Sequence, residues 1–286
     1  MSGKSGKKKP QAKKATSDKK AQDKAPKGKS PGKKQAAAKP KAAAKGGFGI
    51  SIGEVFSTGL QGYFPNAIIM TLAGLPVLIV FAVLSRPFTN FQGMLQDRVD
   101  AGELTSISVI DGLSWVGLLM VAAIPAGAVA LPWFKYALDI VDKKDINVMA
   151  PLIDFQKFAN HAFATFWFWA GIAFGLRYLR GIPSILVILL YAFYAYVIAD
   201  GKQINGLKAL GVSVRLGTGK RIGLFAIAGM FFMFNIFGLL GLAVGLEDGS
   251  PSLLGIALGI LGLSATASVT LISGAAIFRV LEGNLQ

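Results

Sequence analysis

Residues 222–246 read IGLFAIAGMFFMFNIFGLLGLAVGL, an unbroken run with no charged side chain. As an α-helix rising 1.5 Å per residue, it outlasts the ~30 Å of a bilayer's hydrocarbon. It is apolar on every face, as a membrane span or the heart of a large core must be. A chain of 286 residues, 53% hydrophobic and with a mean hydropathy of +0.54, is too apolar for the second option. Outward from this run, similar stretches recur at about 66–85, 112–134, 158–176, 182–199 and 252–278. The sequence therefore predicts an all-α fold, a polytopic transmembrane helical bundle of about six spans. Barrel strands need ~10-residue alternating segments, which these continuous runs are not. The spans at 158–176 and 182–199 are short and separated only by Arg177–Gly181, so a tight helical hairpin is expected there. Pro76 and Pro125 fall inside spans and are expected to kink them.

Before the first span, Val55, Phe56, Leu60, Tyr63 and Phe64 recur at helical spacing within 48–64, with Glu54 and Gln61 off that face. This predicts an amphipathic helix at the membrane surface. Upstream the composition changes abruptly. Residues 1–45 hold sixteen lysines against Asp18 and Asp23, so +14 of the chain's net +15 lies there, and the body is nearly neutral. Made of Lys, Ala, Gly, Ser, Pro and Gln, this tail has too little apolar surface to offset ~1–2 kcal/mol of ordering entropy per residue. The expected organisation is a disordered Lys-rich cytoplasmic tail over 1–47 and a transmembrane helical domain over 48–286.

The tail is linker-histone-like in composition, most of all at Ser30-Pro31-Gly32-Lys33-Lys34. Its lysines (Lys7, Lys8, Lys9, Lys13, Lys14, Lys19, Lys20, Lys33 and Lys34) are the candidate polyanion contacts. Anionic lipid headgroups would attract them at ~1 kcal/mol per lysine near the surface. Nucleic acid would be bound through phosphate, without sequence reading, by counterion release. The tail has no aromatic residue, which removes base stacking.

Lysine and arginine in the loops orient the bundle. With six spans both ends share one side, which carries Lys135, Lys143, Lys144, Lys157, Lys202, Lys208, Arg215, Lys220, Arg221 and Arg279. The other side has Arg86, Arg98, Arg177 and Arg180. Both termini are expected in the cytoplasm, in a bacterial inner membrane. Arg177 and Arg180 must snorkel at the outer interface or mark a hairpin that does not fully cross.

Chemistry-bearing residues are sparse. The chain has no cysteine, which removes disulfides, thiolate metal sites and a thiol nucleophile. Its single histidine, His161, removes multi-His metal sites; with Asp154 seven residues earlier, it reads as an interfacial histidine with a hydrogen-bond partner. No catalytic residue, cofactor or metal is expected. The apolar runs lack mid-depth charges, the usual mark of proton and ion paths. Asn235 is the strongly polar side chain near mid-span, expected in an interhelical hydrogen bond. Gly241 with Gly245, and Gly255 with Gly259, have the small-xxx-small spacing that lets helix backbones approach. Arg215-Leu216-Gly217-Thr218-Gly219-Lys220-Arg221 lacks the Ser/Thr after Lys and the preceding strand of a phosphate loop. Before it, 206–216 predicts a short basic helix on the inner leaflet, ending at Gly217.

Ser51-Ile52-Gly53-Glu54-Val55-Phe56 ahead of a first span, and Gly206-Leu207-Lys208-Ala209-Leu210 with Ser213 and Gly217 ahead of a final apolar pair, carry a resemblance. The chain over about 50–286 resembles uncharacterised bacterial multi-pass membrane domains related to the membrane domain of glycerophosphodiester phosphodiesterases. The resemblance implies six or so helices in a bilayer and no agreed activity. No phosphodiesterase catalytic domain is present, so that activity is not implied. The expected function is a non-enzymatic scaffold or accessory subunit, whose partners are anionic lipid, a polyanion or a larger membrane-protein complex. The alternative is a transporter or channel for a neutral or amphipathic small molecule.

Overall fold

Ser51 caps the first helix with a reciprocal box. Its hydroxyl accepts from the Glu54 N–H (3.1 Å) and the Glu54 carboxylate accepts from the Ser51 N–H (2.9 Å). The computed structural model describes residues 51–102, 109–179, 181–203, 205–241, 246–247 and 250–284. The segment 1–47, expected to be disordered, lies outside them.

The helices are α1 (Ile52–Tyr63), α2 (Ala67–Leu84), α3 (Arg86–Asp100), α4 (Val109–Val129), α5 (Leu131–Val141), α6 (Ala150–Ile153) and α7 (Phe155–Tyr178). They continue as α8 (Ile182–Tyr191), α9 (Tyr194–Asp200), α10 (Gly206–Leu216), α11 (Arg221–Gly238) and α12 (Leu253–Gly283). A 3-10 turn, Phe64–Asn66, links α1 to α2. A two-residue antiparallel pair, β1 (Leu246–Glu247) with β2 (Ser250–Pro251), precedes α12.

Five stretches are long and apolar enough to cross a membrane: Ile52–Asp100, Asp111–Val141, Ile182–Asp200, Arg221–Gly238 and Leu253–Gly283. They are consistent with an integral membrane protein. The stretch expected at 158–176, now α7, is not among the five. Asn160, His161, Thr165, Trp167 and Trp169 lower its hydropathy, although its 24 residues cover ~36 Å.

The helix breaks have local causes. The span expected to end at 134 continues through α5 to Val141, so Lys135 and Asp139 are paired within it rather than lying in a loop. The interruption falls at Ala130, because Pro132 has no N–H to return to the Ala128 carbonyl. Helices α2 and α4 run on through Pro76 and Pro125. Residues 86–100, expected as loop, form α3, with Pro87 in its first turn. Between α8 and α9 the Ser213 hydroxyl accepts from the Phe193 N–H (3.0 Å) and donates to the Leu190 carbonyl (3.0 Å), supplying partners that the broken helix lacks.

Helix α12 is the axis of the bundle, and α1, α2, α5 and α11 pack against it. α1 lays Gly59 on Val269 and Ser273, where a Cβ would collide, while Glu54, Ser57 and Thr58 stay exposed. α7 runs antiparallel to α4, setting Thr165 against Gly127 and Tyr178 against Gly112. α8 folds back on α7 with Ser184 against Gly175, after a turn that Gly181 makes at φ +85°. The main core joins Trp133 and Leu138 of α5, Ile198 of α9 and Ile272, Ile277 and Phe278 of α12. Apolar side chains also cover the outside: Ile222 is 89% exposed and Leu253 85%. Polar side chains within and apolar ones without suit a lipid surround.

Candidate functional site

Charged side chains gather where α5, α9 and α12 end together. Arg279 on the last turns of α12 grips Asp142 bidentately, Nε to Oδ1 at 2.8 Å and Nη2 to Oδ2 at 2.6 Å. The same guanidinium donates to Asp200 Oδ1 (2.6 Å) and Glu282 Oε2 (2.9 Å). Lys202 donates to Glu282 Oε1 (2.6 Å) and pairs with Asp200 (3.5 Å), and Lys144 donates to Asp142 (2.8 Å). Three cations thus face three carboxylates. Burial pushes the Asp142 carboxyl upward, but Arg279 and Lys144 outweigh it and hold the group below its usual range. The hydrogen bond to Glu282 raises Lys202, and that to Asp142 raises Lys144. Asp142 is thus stabilised in its ionised form and is not set up to donate a proton. The cluster is an electrostatic clamp on the helix ends.

Inside the bundle, polar groups bond across helices. Trp133 Nε1 donates to Ser268 Oγ (3.1 Å), Ser264 Oγ to the Thr71 carbonyl (2.7 Å), and the Tyr196 hydroxyl to the Leu271 carbonyl (2.8 Å). Asn235 Nδ2 donates to Thr270 Oγ1 (2.8 Å), joining α11 to α12. His161 is fully buried rather than interfacial. Its Nε2 bonds the Gly127 carbonyl (2.8 Å), and its ring stacks on Tyr194 with Phe134 edge-on. Asp154 is not its partner; it caps α7 through the Lys157 N–H (3.0 Å) and pairs with the Lys157 ammonium.

The expected packing glycines divide. Gly241 meets Leu258 and Gly259 of α12, with no space for a Cβ. Gly255 and Gly259 are both buried. Gly245 and the tail lysines lie outside the described residues. The tightest approach of α11 to α12 is at Gly238 and Gly262, where a Cβ on either would meet the other's carbonyl oxygen or its neighbour. Sequence reasoning missed this pair; the signal was the three-residue spacing of Gly238 to Gly241 and Gly259 to Gly262.

Clefts open on the bundle among the described residues. One, of about 410 Å³, lies between α3 and the ends of α4 and α7, lined by Gln92, Gln96, Trp115 and Arg177 among others. A smaller one of about 60 Å³ lies beside Lys135, Asp154 and Lys157. Among the described residues no group of three or more His, Asp or Glu side chains is placed to hold a metal ion. Comparison with protein families, curated proteins and solved structures found no match to this chain.

Proposed function

We propose that this chain is a non-enzymatic multi-pass protein of the bacterial inner membrane, an accessory or scaffold subunit whose lysine tail engages anionic lipid or nucleic acid at the cytoplasmic face. The observation that carries the reading is the partition of charge: +14 sits in the first 45 residues, on a body that is nearly neutral. In this reading α7 is a sixth span. Its length suffices, its polar His161 and Thr165 turn fully inward, and Phe163, Phe166, Trp167 and Phe174 face outward. Six spans put both termini on the side of the Arg279 clamp, and the excess of lysine and arginine makes that side cytoplasmic. The clamp's charged groups are engaged with one another and His161 is buried, which favours a non-enzymatic role. The transporter reading draws no support from the two clefts described, neither of which is lined by Asn235, whose Nδ2 is engaged with Thr270.

The test is binding of the purified chain, intact or lacking residues 2–45, to phosphatidylglycerol vesicles, phosphatidylcholine vesicles and unrelated DNA duplexes. The intact chain binds the anionic vesicles or DNA at low salt and releases them steeply toward physiological salt, as counterions compete. The truncated chain loses that binding and keeps its fold. Equal binding by both forms would refute the tail's role.

A further inference from the structure

Arg177 is a half-buried cation at the end of α7 opposite the Arg279 clamp. Its guanidinium stacks over the Tyr178 ring at 5.8 Å. Among the described residues no carboxylate pairs with it, whereas Arg279 satisfies three. An arginine that is partly desolvated and stacked has its in-plane donors left for an external acceptor. The group beside it supplies the rest of a site. Gln92 and Gln96 stand one turn apart on α3 along the same cleft, Gln96 with its Nε2 already donating to Asp100 Oδ1 (2.8 Å), and Trp115, Leu176 and Val99 give it an apolar wall.

The placement of α3 explains why the cleft exists. Phe88 anchors its start edge-on against Trp115 with ring centroids 5.0 Å apart, and Leu95 is its one buried side chain. The helix thus lies over α4 and α7 on a few contacts and leaves a cleft of about 410 Å³, within the roughly 300–1,000 Å³ of small-molecule sites. A single cation, two neutral amides and an aromatic-aliphatic wall complement an amphipathic monoanion: charge at the helix ends, hydrocarbon toward the spans.

We propose that this cleft binds one anionic phospholipid from the leaflet at this end of the bundle, with Arg177 on the phosphodiester and Gln92 on the glycerol oxygens. The proposal rests on the bilayer reading but not on the tail. The fork geometry of guanidinium on phosphate is what a lysine would keep only in charge.

The test uses the full-length chain, delipidated in neutral detergent at about 1 M NaCl, where exposed tail charges are screened beyond ~3 Å. Dihexanoyl-phosphatidylglycerol, dihexanoyl-phosphatidylcholine and inorganic phosphate are each titrated while the melting temperature is followed. Phosphatidylglycerol raises the melting temperature saturably, and phosphatidylcholine and inorganic phosphate do not. Arg177→Gln shifts the half-saturation point about tenfold or more upward, Arg177→Lys shifts it less, and Arg215→Gln on exposed α10 leaves it in place. If Arg177→Gln fails to fold, judged by circular dichroism, Gln92→Ala carries the same expectation of weakened binding. An unchanged response in these variants, an equal response to phosphatidylcholine, or a full response to inorganic phosphate alone overturns the proposal. Resistance of the chain to alkaline extraction from membranes tests the bilayer reading separately, so the two failures are distinguishable.

Discussion

Arg279 joins three separate parts of the chain, because its partners Asp142 and Asp200 lie 137 and 79 residues away. Replacing it with Met would keep most of the stem and leave Asp142 and Asp200, only 16% and 10% exposed, with the more exposed Lys144 and Lys202 as their cations. Breaking a fully buried pair this way costs ~3–5 kcal/mol, and the partial exposure reduces the expected loss to about 2 kcal/mol. Arg279→Met should lower the melting temperature of the detergent-solubilised protein, and Asp142→Asn combined with it should cost less than the two single losses added. The same groups set the pH profile. Asp142 titrates lower in the folded chain than its ordinary 3.8, so its contribution is present above that value and is lost as pH falls through the folded value. Lys144 and Lys202 titrate above their ordinary 10.5, so theirs is present below that value and is lost as pH rises through the folded ones. The melting temperature should be level across neutral pH and drop at both extremes, and Arg279→Met should flatten the acid limb. An acid limb unchanged in the variant would show that the clamp does not govern it.

At the scale of helices, stability comes from close backbone approach. A methyl added at Gly238 would sit about 2.7 Å from the Gly262 carbonyl oxygen, so α11 and α12 must part to admit it. Gly229, on the same helix, has nothing within 4 Å of an added Cβ. Gly238→Ala is therefore expected to cost about 1–3 kcal/mol, whereas Gly229→Ala stays within about 0.5 kcal/mol or stabilises, since Ala is the better helix former. Thermal melts of the two variants decide this; equal effects would mean that the crossing tolerates expansion. The span expected at 222–246 could be read in outline because a long uncharged stretch has few other uses, but its helix ends at Gly238 and Leu246 already belongs to β1. Helix α3 could not, because Arg86, Asp97, Arg98 and Asp100 made it look like loop, although Phe88, Phe91, Leu95 and Val99 repeat at helical intervals. The polar residues of α7 hid its length in the same way, and their inward orientation is a tertiary fact. Ser51, Asp154 and Ser252 cap their helices, each accepting from a backbone N–H three residues on. The Arg279 clamp and the cleft at Arg177 unite residues too far apart in sequence for any local pattern to report them.

Across the whole molecule, the two ends of the bundle differ in kind. One end carries the compensated clamp of Arg279, Asp142, Asp200, Glu282, Lys144 and Lys202. The other carries α3 and the cleft with Arg177, which pairs with no carboxylate among the described residues. Antiparallel packing of α7 on α4 requires their connection through α5 and α6 to lie at the clamp end. Threading can then be tested by chemistry, because the chain has no cysteine and each introduced thiol reports alone. Single cysteines at Ser30, Gly93, Lys144, Lys208 and Ser250 should divide into two groups toward a membrane-impermeant maleimide. Gly93 projects from α3 with nothing within 4 Å, and with Ser250 it should label on intact cells. Lys144 is 61% exposed beside the clamp, and with Ser30 and Lys208 it should label only after permeabilisation. Five spans without α7 would give a different pattern: Gly93 and Lys144 would keep their sides, while Lys208 would move to the outside and Ser250 to the inside. Labelling of Lys208 on intact cells would therefore remove α7 from the spans, and its protection there would mean that the two arms of the α7–α8 hairpin cross together or not at all.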